Sequence, residues 1–287
     1  ILIFMSDQQR ADSIPPYKRA ITPNLDSFCA EGVTFTQAYC PSPHCCPSRA
    51  TFFTGLYPSE HGVWNNVDVG NTLSKGLLPG TKLWSDDLRK AGYKLNFTGK
   101  WHISAVETPE DYGWNMQAQL RIHNPQEAAD PRPHMREWEG YKHLATQPEP
   151  TARGEAQILR PGYSVYTHYG EDDHPILRFD RNVVDAAVEI LKECKVDEKP
   201  WCHFIGTLGP HDPYFVPQEF LDLYPLDAID LPYSFSDRMV DKPALYRRTR
   251  DRFDQLTERE QREALRHYWA FCTYEDALFG EVLQALE

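Results

Sequence analysis

Three short apolar runs, each ending in a loop that carries chemically able side chains, constrain the fold of this 287-residue chain more than any other feature. Ile1 to Met5 runs into Ser6-Asp7-Gln8, Tyr93 to Phe97 into Thr98-Gly99-Lys100-Trp101-His102, and Trp201 to Leu208 into Gly209-Pro210-His211-Asp212-Pro213. Continuous apolar runs of this kind read as strands covered on both faces, the habit of parallel sheets. Helical spacing fills the intervals. Thr22-Pro23 opens a helix with Leu25, Phe28 and Cys29 on one face, Pro47 to Phe53 a second stopped by Thr54-Gly55, and Thr81 a third through Leu88 to Gly92. Val183 to Leu191 gives a fourth ending near Lys195, and Leu265 to Leu286 a terminal one from about Arg262. Val33 to Tyr39 alternates apolar with polar residues as a half-buried strand does. Alternating strands and helices predict an α/β fold, a three-layer α/β/α sandwich around a mainly parallel central sheet. In such sheets ligands bind beyond the carboxyl ends of the strands, so Asp7, Gln8, Lys100, His102 and His211 are expected to share one site.

Thirty basic against forty-two acidic residues leave a net charge of −12, which argues against a nucleic-acid backbone as partner. An acidic body that handles an anion must concentrate its few cations locally, so the lysine and the histidines at the strand ends carry more weight than the total. No apolar run is long enough to span a bilayer and no signal peptide is evident. The seven cysteines show no regular framework for disulfides. Residues 217 to 260 read as a long polar connection, and 104 to 180 as loops or an insertion that would shape a substrate pocket, with Trp114, Glu137, Trp138 and Glu139 as residues able to face a sugar or to serve as core and surface.

Pro41 to Gly55 reads P-S-P-H-C-C-P-S-R-A-T-F-F-T-G. Pro47 sets the first turn of a helix and places Cys45 just before an N-terminus rich in free N–H groups. A phosphatase loop would need its arginine where Thr51 stands, and a zinc site from Cys40, His44, Cys45 and Cys46 lacks the paired spacing such sites use.

Cys45, Pro47, Ser48, Arg49, Thr54 and Gly55 fit C-x-P-S-R-x-x-x-x-T-G, and the chain resembles the formylglycine-dependent sulfatases of the alkaline-phosphatase-like superfamily. Gly99-Lys100-Trp101-His102 is similar to the family's G-K-x-H, and Pro210-His211-Asp212-Pro213 to its P-H-x-P. The resemblance implies a sulfuric ester hydrolase in which Cys45 is oxidised by the formylglycine-generating enzyme to an aldehyde whose hydrate attacks sulfur. It implies that Arg49 and His102 hold the hydrate, that Lys100 contacts sulfate and that His211 faces the sulfate or the leaving oxygen. Asp7 and Gln8, with the modified Cys45, would hold a divalent metal, calcium by preference, with magnesium or manganese as alternatives. Many sulfatases carry Asp-Asp where this chain has Asp7-Gln8, a pairing also found in phosphonate monoester and phosphodiester hydrolases of the superfamily. The resemblance further implies a single catalytic domain over 1–287 that lacks a later metal-binding pair at its C-terminus, a sulfated carbohydrate or aryl/alkyl sulfate as substrate, and a periplasmic, secreted or lysosomal location, with the cytoplasm left open. A binding or scaffold relative without activity is the reading from another class.

Overall fold

The computed structural model describes residues 1–68, 72–120, 152–159, 165–171, 174–195 and 199–287. Four parallel strands, β1 (Leu2–Met5), β2 (Lys94–Lys100), β3 (Asn115–Leu120) and β7 (Trp201–Gly206), form one sheet in the order β1-β7-β2-β3. Helices cover both faces, as the alternation of elements predicts. Three further strands lie outside the main sheet in chain order before β7: β4 (Gln157–Leu159) and β5 (Val165–Thr167) form an antiparallel pair, and β6 (Tyr169–Glu171) pairs with β8 (Tyr214–Val216).

The period-two geometry of the strands sorts the core into two layers. On one face Leu95, Phe97, Cys202 and Phe204 meet α2 (Cys45–Thr54) and the segment after it through Phe53, Val63, Trp84, Trp101 and Trp114. Phe97 stacks on Phe204 at 4.8 Å between centroids, and Phe53 packs on Phe204 at 4.9 Å and Trp101 at 5.0 Å. Each buried aromatic contributes roughly 2–3 kcal/mol of transfer free energy, so this cluster fixes how α2 sits on the sheet. On the other face Ile205 joins Val183, Val184, Ala187 and Leu191 of α5 (Pro175–Cys194) and Phe271, Leu278 and Val282 of the long helix α8 (Glu258–Leu286).

Several expectations need correcting. Val33 to Tyr39 forms no strand: among the described residues nothing pairs with it, and Val33, Phe35 and Tyr39 are exposed. Asn115–Leu120, which has no apolar run, is a parallel edge strand, and Trp114 beside it is core, not a sugar contact. Glu137, Trp138 and Glu139 lie outside the described residues. The 217–260 connection contains the helices α6 (Gln218–Leu221) and α7 (Ala244–Phe253). The terminal helix begins at Glu258, where Thr257 and Glu260 form a capping box. The helix expected from Thr81 is the short α4 (Ser85–Lys90), preceded in the chain by α1 (Pro23–Glu31) and α3 (Pro58–His61). No described helix is long and apolar enough to cross a membrane.

Candidate active site

Loops leaving β1 and β7 converge with the start of α2 around a cavity of about 470 Å3, lined by Asp7, Gln8, His44, Cys45, Ser48, Arg49, Asn66 and His211, and Lys100 at the end of β2 reaches Asp7 on its wall. Cys45 is the first residue of α2, one position inside the helix instead of before it. Gly55, left-handed at φ 71°, ends that helix by donating its N–H to Thr51 O at 2.8 Å. Gly99 does comparable work on β2. A Cβ there would lie 2.0 Å from Gly206 O, so only glycine lets β2 approach β7 at the point where its register with β3 shifts.

Asp7 is the hub. Lys100 Nζ lies 2.8 Å and Arg49 3.2 Å from its Oδ2, and the Cys45 thiol donates to Oδ1 at 3.4 Å. Arg49 also donates to Lys100 O at 2.8 Å, which ties α2 to the end of β2. All three charged side chains are buried. Burial alone would raise the Asp7 carboxyl, but Lys100, Arg49 and His211 outweigh it and hold the group well below the usual carboxylate range. Burial opposes charge on Lys100 too, and Asp7 and Cys45 reverse the effect, so its ammonium is retained.

Burial likewise disfavours a thiolate at Cys45, yet Lys100, with His102 and His211 beside the sulfur, brings the thiol down to about 5. His211 donates from Nδ1 to Asp212 O at 2.6 Å, which fixes its tautomer, and its pKa is raised against the effect of burial by Cys45 and Asp212. His102 is buried with Nε2 3.4 Å from Asp68 Oδ1; Asp68 and the two cysteines overcome burial and raise its pKa well above the ordinary value. Gln8 and His102 both have left-handed backbones, at φ 57° and 56°. Each such residue stores about 1–3 kcal/mol, a cost the surrounding packing holds in place.

All seven predicted residues therefore sit together, with differences in detail. Arg49 contacts Asp7 and the Lys100 carbonyl, and His102 stands between Asp68 and the cysteine pair. Sequence reasoning missed four contributors. His44, which matches no motif, is on the cavity wall. Asn66 lines the cavity and accepts from Cys46 N at 3.2 Å at the start of α2. Asp180 accepts from Leu208 N at 2.6 Å and Gly209 N at 2.8 Å and so holds the loop that carries His211. Asp68 faces His102. None has a local motif, because each works through a contact distant in sequence. Of the other histidines, His174 caps α5 by accepting from Ile176 N, and His61 packs against Thr51.

Asp7 offers a carboxylate and Gln8 an amide oxygen, hard donors that suit calcium, magnesium or manganese. Calcium takes six to eight oxygens, so these two fit part of such a site.

The Sulfatase family model matches residues 1–287. The chain belongs to the sulfatase family. A sulfatase from Formosa agariphila is 28% identical over 93% of this chain and 50% of its own length, so the chain spans about half of that curated relative. Among solved structures, a 2-O GAG sulfatase aligns with a TM-score of 0.66 at 18% identity, covering 100% of this chain and 54% of that one. A phosphonate monoester hydrolase of Agrobacterium radiobacter aligns at 0.65 and 20% identity, covering 99% and 58%. Both share the fold, a mainly parallel sheet with helices on either side, as expected of an alkaline-phosphatase-like protein.

Proposed function

We propose that the protein hydrolyses sulfate esters, with Cys45, Arg49, Lys100, His102 and His211 as its catalytic residues. The single observation that carries this reading is the hub at Asp7, where one carboxylate gathers Lys100, Arg49 and Cys45 at the mouth of a helix. In a chain of net charge −12, Arg49 and His211 on the cavity wall, with Lys100 on Asp7 and His102 beside Cys45 behind them, suit an anionic group that gains charge on its oxygens in the transition state.

Modified to formylglycine, residue 45 supplies a hydrate with one oxygen to attack and a second hydroxyl to expel sulfate. The chain's other residues bind, orient and move protons around it. Lys100 neutralises the transferring group, Arg49 fixes the start of α2 relative to Asp7, and His102 orients residue 45. His211, its Nδ1 held by the Asp212 carbonyl, presents the other ring nitrogen as the acid for the leaving oxygen. Asp7 and Gln8 would hold a divalent metal, calcium by preference, which supplies Lewis-acid polarisation. The formylglycine-generating enzyme is the partner required for maturation. The substrate class is a small-molecule or carbohydrate sulfate ester.

Gln8 beside Asp7 favours a second reading, a phosphonate monoester or phosphodiester hydrolase with the same nucleophile. Steady-state hydrolysis of aryl sulfate and aryl phosphonate esters by the full-length enzyme separates the two. We expect the sulfate ester to have the higher kcat/KM; a strong preference for the phosphorus ester would overturn the assignment.

A further inference from the structure

Cys46, the second member of the cysteine pair, has no part in the reading above. Its side chain is fully buried under the start of α2, and its sulfur accepts from Val67 N at 3.4 Å. Two other metal-ligating side chains from distant segments meet it there. Cys46 Sγ, a carboxylate oxygen of Asp68 and a ring nitrogen of His102 lie within 4.8 Å of one another. His102 is buried to 3% side-chain exposure, and its ring nitrogens make no well-aligned hydrogen bond among the described residues, Asp68 Oδ1 standing 3.4 Å from Nε2 as an ion-pair contact. Buried polar atoms are almost always paired, so an imidazole left in this state beside a thiol and a carboxylate needs an explanation.

Donor chemistry supplies one. Bonds of about 2.1 Å to nitrogen and oxygen, arranged tetrahedrally, separate two ligand atoms by about 3.4 Å. Nε2 of His102 stands 3.4 Å from Oδ1 of Asp68. Thiolate, imidazole and carboxylate together select a borderline-soft ion over calcium or magnesium. Three protein ligands leave the fourth position to water.

We propose that Cys46, Asp68 and His102 form a second metal site that takes zinc or a similar borderline-soft divalent ion, and that its occupation inhibits the enzyme. Zinc would bind the Cys46 thiolate and the His102 imidazole, and so withdraw His102 from residue 45. The inhibition rests on the role given to His102 above; the binding does not. A hard ion at Asp7 and Gln8 and a soft ion here would thus have opposite effects on one active centre, from sites separated by the Cys45–Cys46 peptide.

Titration of the full-length enzyme with cobalt(II) tests the site, because a thiolate ligand gives cobalt an intense charge-transfer absorbance. A Cys45→Ser background removes the neighbouring thiol, so that absorbance then reports Cys46. We expect a saturable band that Cys46→Ser abolishes and Asp68→Asn weakens by about tenfold or more, since even outer-shell partners are worth about 10–100-fold in affinity. Circular dichroism and thermal midpoints verify that the variants are folded. In the otherwise unaltered enzyme, zinc at saturating concentration should suppress aryl sulfate hydrolysis, and Cys46→Ser should lose the zinc sensitivity when its rate with zinc is compared with its own zinc-free rate. Absence of a thiolate band, or a band that persists in Cys46→Ser, overturns the site. A Cys46-dependent band with hydrolysis unaffected by zinc overturns the inhibition and the role of His102. A Cys46-dependent band in a protein that hydrolyses no sulfate ester upholds the site and overturns the functional reading.

Discussion

Two buried acidic centres flank the loop that carries His211, and they are held in opposite charge states. Asp7, on the cavity side, is met by Lys100 at 2.8 Å and Arg49 at 3.2 Å and stays ionised. Asp180, on the far side, accepts from the N–H groups of Leu208 and Gly209 and lies against Glu275. Burial dominates there. It lifts Asp180 to about 7, and burial together with the neighbouring acid lifts Glu275 well above the ordinary value, so the pair keeps a proton. The Gly209 peptide joins the two centres: its N–H donates to Asp180, and its carbonyl accepts from Asp7 N at 2.9 Å. Depth is therefore not what decides ionisation in this molecule. The placement of Lys100 and Arg49 against one of the two acids does.

Removing a cation should have the largest effect. Lys100→Ala takes from buried Asp7 its nearest cation and leaves Arg49 and His211, and we expect a loss of about 3–5 kcal/mol in denaturant unfolding together with a fall of about 10²–10³ in kcat for aryl sulfate. Retention of activity within tenfold would break the contrast between the two centres. Gly209→Ala attacks the shared peptide, because its Cβ would stand 2.2 Å from Glu275 Oε1 and 2.5 Å from Phe271. A destabilisation of about 1–3 kcal/mol, seen as a lower thermal midpoint, is expected from this overpacking. An unchanged midpoint would show that the loop is not clamped there.

Asp180→Asn keeps the shape and loses one acceptor for the two N–H groups, a cost of about 1–3 kcal/mol at neutral pH. The smallest effect belongs to pH and to Glu275→Gln. The acid pair has folded-state pKa values raised above those of the unfolded chain, so its contribution is fully present below the ordinary carboxylate range and is lost as pH rises from there through the raised folded-state values. Glu275→Gln should flatten that part of the stability profile and cost less than about 1 kcal/mol under the same conditions. A profile that rises across this window in the parent protein would mean that the pair is ionised, as Asp7 is.

The cavity-side centre was legible in the sequence and the far-side centre was not. Asp7, Lys100 and His211 each follow an apolar run, and the period of those runs identifies strands whose ends must cluster. Asp180 and Glu275 lie within helices α5 and α8, where an acid ordinarily marks a solvated face. Only the packing of those helices against the 207–209 segment reveals their role. Asp68 and Asn66 escaped notice for the same reason, since their partners are His102 and the start of α2. Errors at the level of elements also have physical causes. Val33 to Tyr39 has the right alternation for a strand, but no described strand pairs with it, and Asn115–Leu120 gains by pairing with β2 what its composition does not advertise. The Thr257-Glu260 capping box was readable and would have placed the start of α8 correctly.

The proposed activity depends first on what residue 45 becomes. Mass spectrometry of the tryptic peptide ending at Arg49, from full-length protein made in a host that possesses the formylglycine-generating enzyme, tests this directly. The predicted result is a peptide in which the sulfur of Cys45 has been replaced by an aldehyde oxygen while Cys46 keeps its thiol. An unmodified Cys45 in protein that nevertheless hydrolyses sulfate esters would contradict it.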